Sequence, residues 1–326
     1  MKAIAIDGYG DAGDLQPREA PDPKPDDEEI LIRVRAAGVN PLDWKIRQGQ
    51  LRLFLRLRFP YVLGSDIAGE VVATGILAKR FKPGDSVFAF SDPRRGGAYA
   101  ELAVVNQGAA ARKPDSLDFA ETASLPIAGC TALQALRDIG CVSQGAKVLV
   151  HGGAGGVGHF AVQIAKALGA MTTATCGPAN IDFVRSLGAD FVIDYSRQNI
   201  LDGRDRYDVI FDAVGKSSFS ACRHALAPGG TYVTTLPSPD LFFWGPVQRV
   251  AKLFGQAKQA RLIMVRPTRE DLACLGGLAD KGKLKPTVSL TFPLERASEA
   301  HQASQAGHAR GKIVLDIRGH ASALPA

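Results

Sequence analysis

The sequence predicts an α/β protein of two domains, one β-rich and one built on a doubly wound parallel sheet. Short apolar alternations broken by Gly and Pro fill the first third of the chain. Strands alternate with helical stretches through the middle, and short strands return near the end. The 326 residues are enough for two domains of ordinary size.

In the first zone Ala3-Ile4-Ala5-Ile6, Ile30-Leu31-Ile32-Arg33-Val34 and Val87-Phe88-Ala89-Phe90 read as strands, separated by turns such as Lys82-Pro83-Gly84-Asp85. From about Thr122 the rhythm changes. Lys147–His151 is a short buried strand, after which Val157, Ala161, Ile164, Ala165 and Leu168 fall at helical spacing. A strand at Met171–Cys176, a helix around 181–187 and strands at Phe191–Asp194, 208–214 and 231–235 follow, with Leu226-Ala227-Pro228-Gly229-Gly230 as the stop before the last. This alternation argues for a parallel sheet. In the third zone Lys285-Pro286-Thr287-Val288 and Gly311-Lys312-Ile313-Val314-Leu315 read as strands, and the small, polar tail 319–326 is expected to fray. The β-rich domain is therefore read as 1–121 with 262–326, and the parallel-sheet domain as 122–261.

Composition removes several classes. With 46% hydrophobic and 22% charged residues the chain is neither disordered nor, lacking a Gly-X-Y period, collagenous. No apolar run approaches the roughly 18–20 residues that span a bilayer, and MKAIAIDGYGDAGDL lacks the apolar core of a secretory signal. A cytoplasmic protein with no membrane partner is expected. Cys130, Cys141, Cys176, Cys222 and Cys274 are scattered with no CxxC pair, so neither a disulfide framework nor a zinc ribbon follows. The net charge of +6 is not interleaved with aromatics, so no nucleic-acid partner is expected either. Two acid-free basic runs stand out: Lys45, Arg47, Arg52, Arg56 and Arg58, then Arg249, Lys252, Lys258, Arg261, Arg266 and Arg269. Each is a solvated face or a site for a phosphate-bearing small molecule.

Gly153-Ala154-Gly155-Gly156-Val157-Gly158 matches GxGxxG, and it stands between a strand and a helix, the context that gives the pattern meaning. Gly153 allows the tight turn, Gly155 lets the backbone approach a pyrophosphate, and Gly158 lets helix and strand pack closely. A site for NAD also wants Asp or Glu at the end of the next strand to bind the ribose 2′-hydroxyl. That strand ends Thr175-Cys176-Gly177 without one, and Asp182 lies beyond Gly177-Pro178. NADPH is favoured over NADH. The basic clamp is less evident, because Pro178, Ala179 and Asn180 come next and Arg185 reaches the site only by pointing back.

Further landmarks flank this turn: Asn40-Pro41-Leu42-Asp43-Trp44-Lys45, Leu63-Gly64-Ser65-Asp66-Ile67-Ala68-Gly69, Phe81-Lys82-Pro83-Gly84-Asp85, Gly97-Ala98-Tyr99-Ala100-Glu101, Leu125-Pro126-Ile127-Ala128-Gly129-Cys130-Thr131, Phe211-Asp212-Ala213-Val214-Gly215 and Gly311-Lys312-Ile313-Val314. Singly these are weak, but in this order over nearly the whole chain the sequence resembles the medium-chain dehydrogenase/reductases, in their zinc-free quinone oxidoreductase-like branch. The resemblance implies a GroES-like catalytic domain built from both chain ends, a Rossmann cofactor domain inserted in it, and a homodimer. The positions aligned with the zinc ligands of alcohol dehydrogenase relatives read Asn40, Ser65 and Ile127, the last of which cannot bind metal, and the four-cysteine structural lobe is missing. No zinc is expected.

Without a Lewis acid, alcohol oxidation has little help in removing the hydroxyl proton. Reduction of a polarised C=C bond or a quinone needs less: hydride adds β to a carbonyl, and donors aimed at the developing enolate each contribute roughly 2.7–4 kcal/mol. Enones, quinones and enoyl thioesters fit. The resemblance then suggests roles. Asn40 holds the substrate carbonyl or the nicotinamide ribose, or only forms the turn before Pro41. Lys45 pairs with Asp43 or with the cofactor ribose. Tyr61 donates a proton or simply packs. Thr131 places its hydroxyl near the nicotinamide or caps its helix. Thr175, Cys176, Gly177 and Asn180 surround the adenosine 2′ position, and Tyr195 touches the same phosphate or packs in the core. Ala213, Val214 and Gly215 run beside the nicotinamide ribose, while Lys312 faces the cofactor cleft from a returning strand. Arg52 and Arg56 rim the substrate site if the substrate is a coenzyme A thioester. A catalytically silent NADPH-binding structural or interaction protein is the alternative.

Overall fold

A computed structural model describes residues 1–198, 205–241, 243–244, 257–266 and 268–317. The chain forms two compact units, one of Met1–Ala128, Pro267–Gly282 and Pro286–Ala326, the other of Gly129–Arg266 with Lys283–Lys285. Of the second basic run, Arg249 and Lys252 lie outside the described residues, as does the tail 319–326.

In the first unit β1 (Lys2–Ile6), β2 (Gln16–Glu19), β3 (Glu29–Val39), β4 (Tyr61–Val62), β5 (Asp66–Thr74), β6 (Ser86–Phe90), β7 (Leu102–Asn106) and β8 (Ala110–Arg112) precede the second unit in sequence. The alternation in β3 does what a half-buried strand requires. Ile30, Ile32 and Val34 face a core shared with Ile4, Ile67 and Val87, while Arg35 turns outward to pair with Glu70 on β5 at 2.9 Å. Gly38 is glycine for want of room, because a Cβ there would stand 2.5 Å from the Ala123 carbonyl and 2.9 Å from the Asp66 Cβ.

The second unit holds β9 (Lys147–His151), β10 (Met171–Cys176), β11 (Phe191–Asp194), β12 (Tyr207–Asp212), β13 (Leu226–Thr234) and β14 (Gln259–Leu262). All their pairings are parallel, in the order β11-β10-β9-β12-β13-β14. This is the doubly wound order, and the turn of direction between β9 and β12 is where such sheets take their ligands. Val148, Leu149 and Val150 on β9 and Val209, Ile210 and Phe211 on β12 are buried, the continuous apolar run of a strand covered on both faces.

Two strands differ from the sequence reading. The Leu226–Gly230 stretch, read as a stop, is the start of β13, whose register against β12 shifts between Tyr207 and Val209. The strand read at 285–288 begins only at Val288, as β15 (Val288–Pro293), since Pro286 has no N–H for a ladder. β15 lies beside β16 (Lys312–Asp316), and among the described residues these join β3, β5, β6, β7 and β8 in one seven-stranded sheet. Gly38→Ala, which forces a Cβ into the Ala123 carbonyl, is expected to lower stability by about 1–3 kcal/mol in thermal or denaturant melts.

Candidate functional site

The glycine turn is stitched to the neighbouring strand. Gly152, at φ +74°, is the residue that needs left-handed backbone, one place earlier than the fingerprint suggests. Its N–H donates to Thr175 Oγ1 at 3.1 Å, and the Gly153 N–H donates to the Thr175 carbonyl at 2.8 Å. A Cβ on Gly153 would press on Ala174 at 2.9 Å, and one on Gly158 would meet the Gly152 carbonyl at 2.0 Å. At Gly155 the closest atom to such a Cβ is the Gly152 carbonyl at 3.4 Å. Gly153 and Gly158 therefore serve the fold, whereas Gly155 leaves the backbone open to an approaching group. Ala154, Gly156 and Val157 complete the turn, and the ten-residue helix Gly158–Ala167 opens on it with its free N–H groups. This arrangement fits a dinucleotide pyrophosphate.

The ends of β10 and β11 lie side by side, with Cys176 opposite Asp194. Thr175 and Cys176 are buried, and burial pushes the Cys176 thiol up. Asn180 closes a single turn, Pro178–Asn180, just beyond Gly177. Tyr195 is 61% exposed, so it does not pack in the core. Its hydroxyl lies 3.1 Å from where a Gly177 Cβ would be, which brings it to the predicted 2′ region. Arg185 bonds Asp182 on its own helix at 3.3 Å. Sequence reasoning missed Asp194, a carboxylate at this end of the sheet. It is engaged by the Ser196 N–H at 2.9 Å and the Ser196 hydroxyl at 2.7 Å, which hold it below the usual carboxylate range.

Sequence reasoning also passed over Asp212. Its Oδ1 accepts from the N–H groups of Val214 at 3.1 Å and Gly215 at 2.8 Å; its Oδ2 accepts from Ser217 N–H at 2.8 Å and the Tyr232 hydroxyl at 3.0 Å. One buried carboxylate thus shapes the loop carrying Ala213, Val214 and Gly215. Val214 leans over the glycine turn, since a Cβ on Gly152 would strike its Cγ2 at 2.2 Å. Thr131 is buried well inside the helix Pro126–Leu133, not at its first turn, so it does not cap that helix.

In the first unit a buried polar network gathers several candidates and changes their meaning. Lys312 is 4% exposed. Its Nζ donates to the Val39 carbonyl at 3.2 Å and to Asn40 Oδ1, and stands 3.6 Å from Asp66 Oδ2. Lys312, expected to face a cofactor cleft, is thus fully engaged by Val39, Asn40 and Asp66 within its own unit. The Asn40 amide is engaged at both ends, because its Nδ2 donates to Asp66 Oδ2 at 2.9 Å. Asp66 Oδ1 accepts the Ile127 N–H at 2.8 Å. Asp43 does not pair with Lys45; its Oδ2 accepts from the Asn40 N–H at 2.7 Å and the Tyr99 hydroxyl at 3.1 Å. Tyr61 donates its proton to the Pro93 carbonyl at 2.6 Å, and burial raises its pKa, which makes it a weaker acid. Lys45 remains. It is half-buried, with Nζ 5.5 Å from the Trp44 ring, and burial lowers its pKa. Arg52 and Arg56 lie apart, exposed on the loop after the helix Pro41–Arg47.

The zinc ligand positions of the resemblance do not fit a metal. Asn40 is engaged as above, Ser65 is buried beside Asp66, and Ile127 offers no donor atom. An Asp66–Lys312 ion pair instead ties the three segments together.

Comparison with known proteins agrees with this architecture. Residues 26–115 match the family model for the alcohol dehydrogenase GroES-like domain, and 187–315 match that for zinc-binding dehydrogenase. The chain is similar to a chloroplast envelope quinone oxidoreductase homolog of Arabidopsis thaliana, with 36% identity over 97% of this chain and 98% of that one. It is also similar to the NADPH-dependent alkenal/one oxidoreductase, chloroplastic, of the same plant, with 34% identity over 97% and 79%. Among solved structures, the quinone oxidoreductase from Coxiella burnetii superposes with a TM-score of 0.86 at 35% identity, covering 98% and 99% of the two chains. The chain belongs to the medium-chain dehydrogenase/reductase superfamily, in its quinone oxidoreductase-like branch. It is an NAD(P)H-dependent oxidoreductase.

Two outcomes follow from the two networks. Asp212→Ala strands four donors and is expected to cost about 2–4 kcal/mol and to weaken dinucleotide binding, as thermal melting and NADPH titration would show. Burial raises the Asp43 carboxyl from 3.8 to about 7. A raised folded pKa favours the folded state below the unfolded value, and that advantage is lost as pH climbs to the folded one. Stability should fall between about pH 4 and about pH 7. Asp43→Asn should flatten that fall, by on the order of 4 kcal/mol at most, in denaturant titrations at both pH values.

Proposed function

We propose that the protein is an NADPH-dependent, zinc-independent reductase of quinones and of C=C bonds conjugated to a carbonyl. The observation that carries the cofactor half is the open Gly155 turn beside a β10 end that carries no carboxylate of its own. Asp194, the acid paired with that end, accepts from Ser196 through Oδ1 and stands 3.7 Å from the Arg197 guanidinium, which offsets part of its charge. β10 itself offers no carboxylate to a ribose 2′-hydroxyl, which favours a 2′-phosphate, and Gly177, Asn180 and Tyr195 are the groups we assign to it. The turn 153–157 would hold the pyrophosphate, and the Asp212-shaped loop would support the nicotinamide ribose through Ala213, Val214 and Gly215. Once bound, the reduced nicotinamide supplies a hydride.

The substrate half rests on the names of two relatives, a quinone oxidoreductase homolog and an alkenal/one oxidoreductase, and on the poor fit of the residues to zinc. Of the three side chains expected to be catalytic, Asn40, Tyr61 and Lys45, the first two are engaged, and Lys45 keeps a head group with no hydrogen bond or ion pair among the described residues. It is the donor we assign to the negative charge that develops on the substrate oxygen. Asn40 and Lys312 hold the domain behind it.

Turnover by chelator-treated enzyme tests the reading, with NADPH and NADH each offered against a quinone, an enone and an enoyl-CoA. Full activity after chelation, preference for NADPH, and turnover of quinone or enone are expected. Activity that vanishes with chelator and returns with zinc, or a preference for NADH, would overturn it. Strong preference for the thioester would restore Arg52 and Arg56 as a phosphate rim. Lys45→Met should lower kcat by roughly 100-fold with little change in NADPH affinity.

A further inference from the structure

The loop between the helix Pro41–Arg47 and β4 is built in an unusual way. Its Leu51, Leu55 and Leu57 pack against the core of the first unit, while Leu53 and Phe54 are each 85% exposed. The base is fixed from both sides by Tyr9. A Cβ on Gly49 would touch the Tyr9 ring at 2.9 Å, and Phe59 packs edge-on to the same ring at a centroid distance of 5.2 Å. The two exposed side chains are therefore held outward by a braced loop. Two large adjacent apolar residues at a tip are costly to leave in water unless something covers them.

The surrounding charge says what covers them. No acid occurs between Asp43 and Asp66. Arg52, Arg56 and Arg58 flank the tip, all exposed, and no ion pair engages them among the described residues. Arg56 and Arg58 also line a pocket of about 410 Å3 together with Arg94 and Arg95. Among the described residues two acids answer the last two: Asp92 stands 4.0 Å from Arg94, and Glu29 bonds Arg95. An apolar tip ringed by unpaired guanidinium groups complements a surface whose outer layer is anionic phosphate and whose inner layer is hydrocarbon.

We propose that the loop 48–60 docks the protein on an anionic lipid bilayer, with Leu53 and Phe54 entering the acyl boundary and Arg52, Arg56 and Arg58 meeting lipid phosphates. The docking is peripheral. It departs from the expectation of no membrane partner, which was drawn from the lack of a spanning run; among the described residues no helix is long and apolar enough to cross a membrane. The proposal does not depend on which substrate is reduced, so vesicle binding and turnover fail separately.

Sedimentation of the full chain with vesicles of phosphatidylcholine, alone or mixed with phosphatidylglycerol, tests it. Binding to the mixed vesicles, weakened by salt, is expected. Leu53→Ser with Phe54→Ser should weaken it by about tenfold or more, and so should Arg56→Glu with Arg58→Glu. Circular dichroism of both variants should match the parent, since these side chains are exposed. No sedimentation, equal binding to both vesicle types, or binding unchanged in either variant would overturn the proposal. Release by inorganic phosphate at constant ionic strength would make the arginines a free-phosphate site and overturn it as well. So would a parent dimer that the serine variant dissociates while vesicles capture neither, because a second copy would then cover the tip.

Discussion

The first unit depends on one buried ion pair. Asp66 and Lys312 face each other at 3.6 Å, essentially out of water, and between them they engage Asn40, Ile127 and Val39. Through Asp66 the pair holds the Asn40 amide and the Ile127 N–H; through Lys312 it holds the Val39 carbonyl. The end of β3, the start of β5, the returning β16 and the segment entering the helix at Pro126 therefore meet at one point. Burying two charges is tolerable only when hydrogen bonds replace the lost water, and here they do so on both partners. Asp43 adds a second carboxylate to the same region, and its burial keeps it protonated up to about pH 7. That leaves the cluster close to neutral instead of carrying an extra negative charge.

The cofactor unit solves a related problem with backbone donors. Thr175 stitches the glycine turn to β10, and Asp212 gathers the loop beyond β12. Both act at the C-terminal ends of parallel strands, where the direction of winding changes and a crevice is left for a ligand. The same positions that need glycine for packing, Gly153 and Gly158, bracket the one that stays open, Gly155. A fold requirement and a binding requirement thus share one hexapeptide.

Much of this was legible because it is local. Strand alternation in β3, the continuous apolar runs of β9 and β12, and the turn between strand and helix are all patterns within a few residues. What was not legible is partnership across the chain. Gly311-Lys312-Ile313 on a returning strand looks like a residue aimed at a cleft, because nothing nearby in sequence announces that Asp66 and Asn40 wait for it. Tyr61 reads as either a proton donor or a packing residue, and nothing near it in sequence announces the Pro93 carbonyl that accepts its proton. Lys45 and Asp43 looked like a pair by spacing, yet Asp43 turns inward to Tyr99. The basic run from Lys45 to Arg58 also divides: Arg47 is wholly buried, bonding the Gly10 carbonyl and Gln305, while the arginines after it stay in water. Asp194 and Asp212 each close a strand in plain view, but their roles follow from donors that gather only in the folded loops.

The most direct test of this account is a double-mutant cycle on the pair itself, with Asp66→Asn, Lys312→Met and the combination, read by equilibrium denaturant unfolding. If the ion pair is the point on which the domain closes, Lys312→Met alone should cost about 3–5 kcal/mol, since it strands a buried carboxylate. The double variant should then be less damaged than the sum of the single ones by about 1–3 kcal/mol. Additive losses would contradict the account, showing that the two residues stabilise the domain independently and that its closure rests elsewhere.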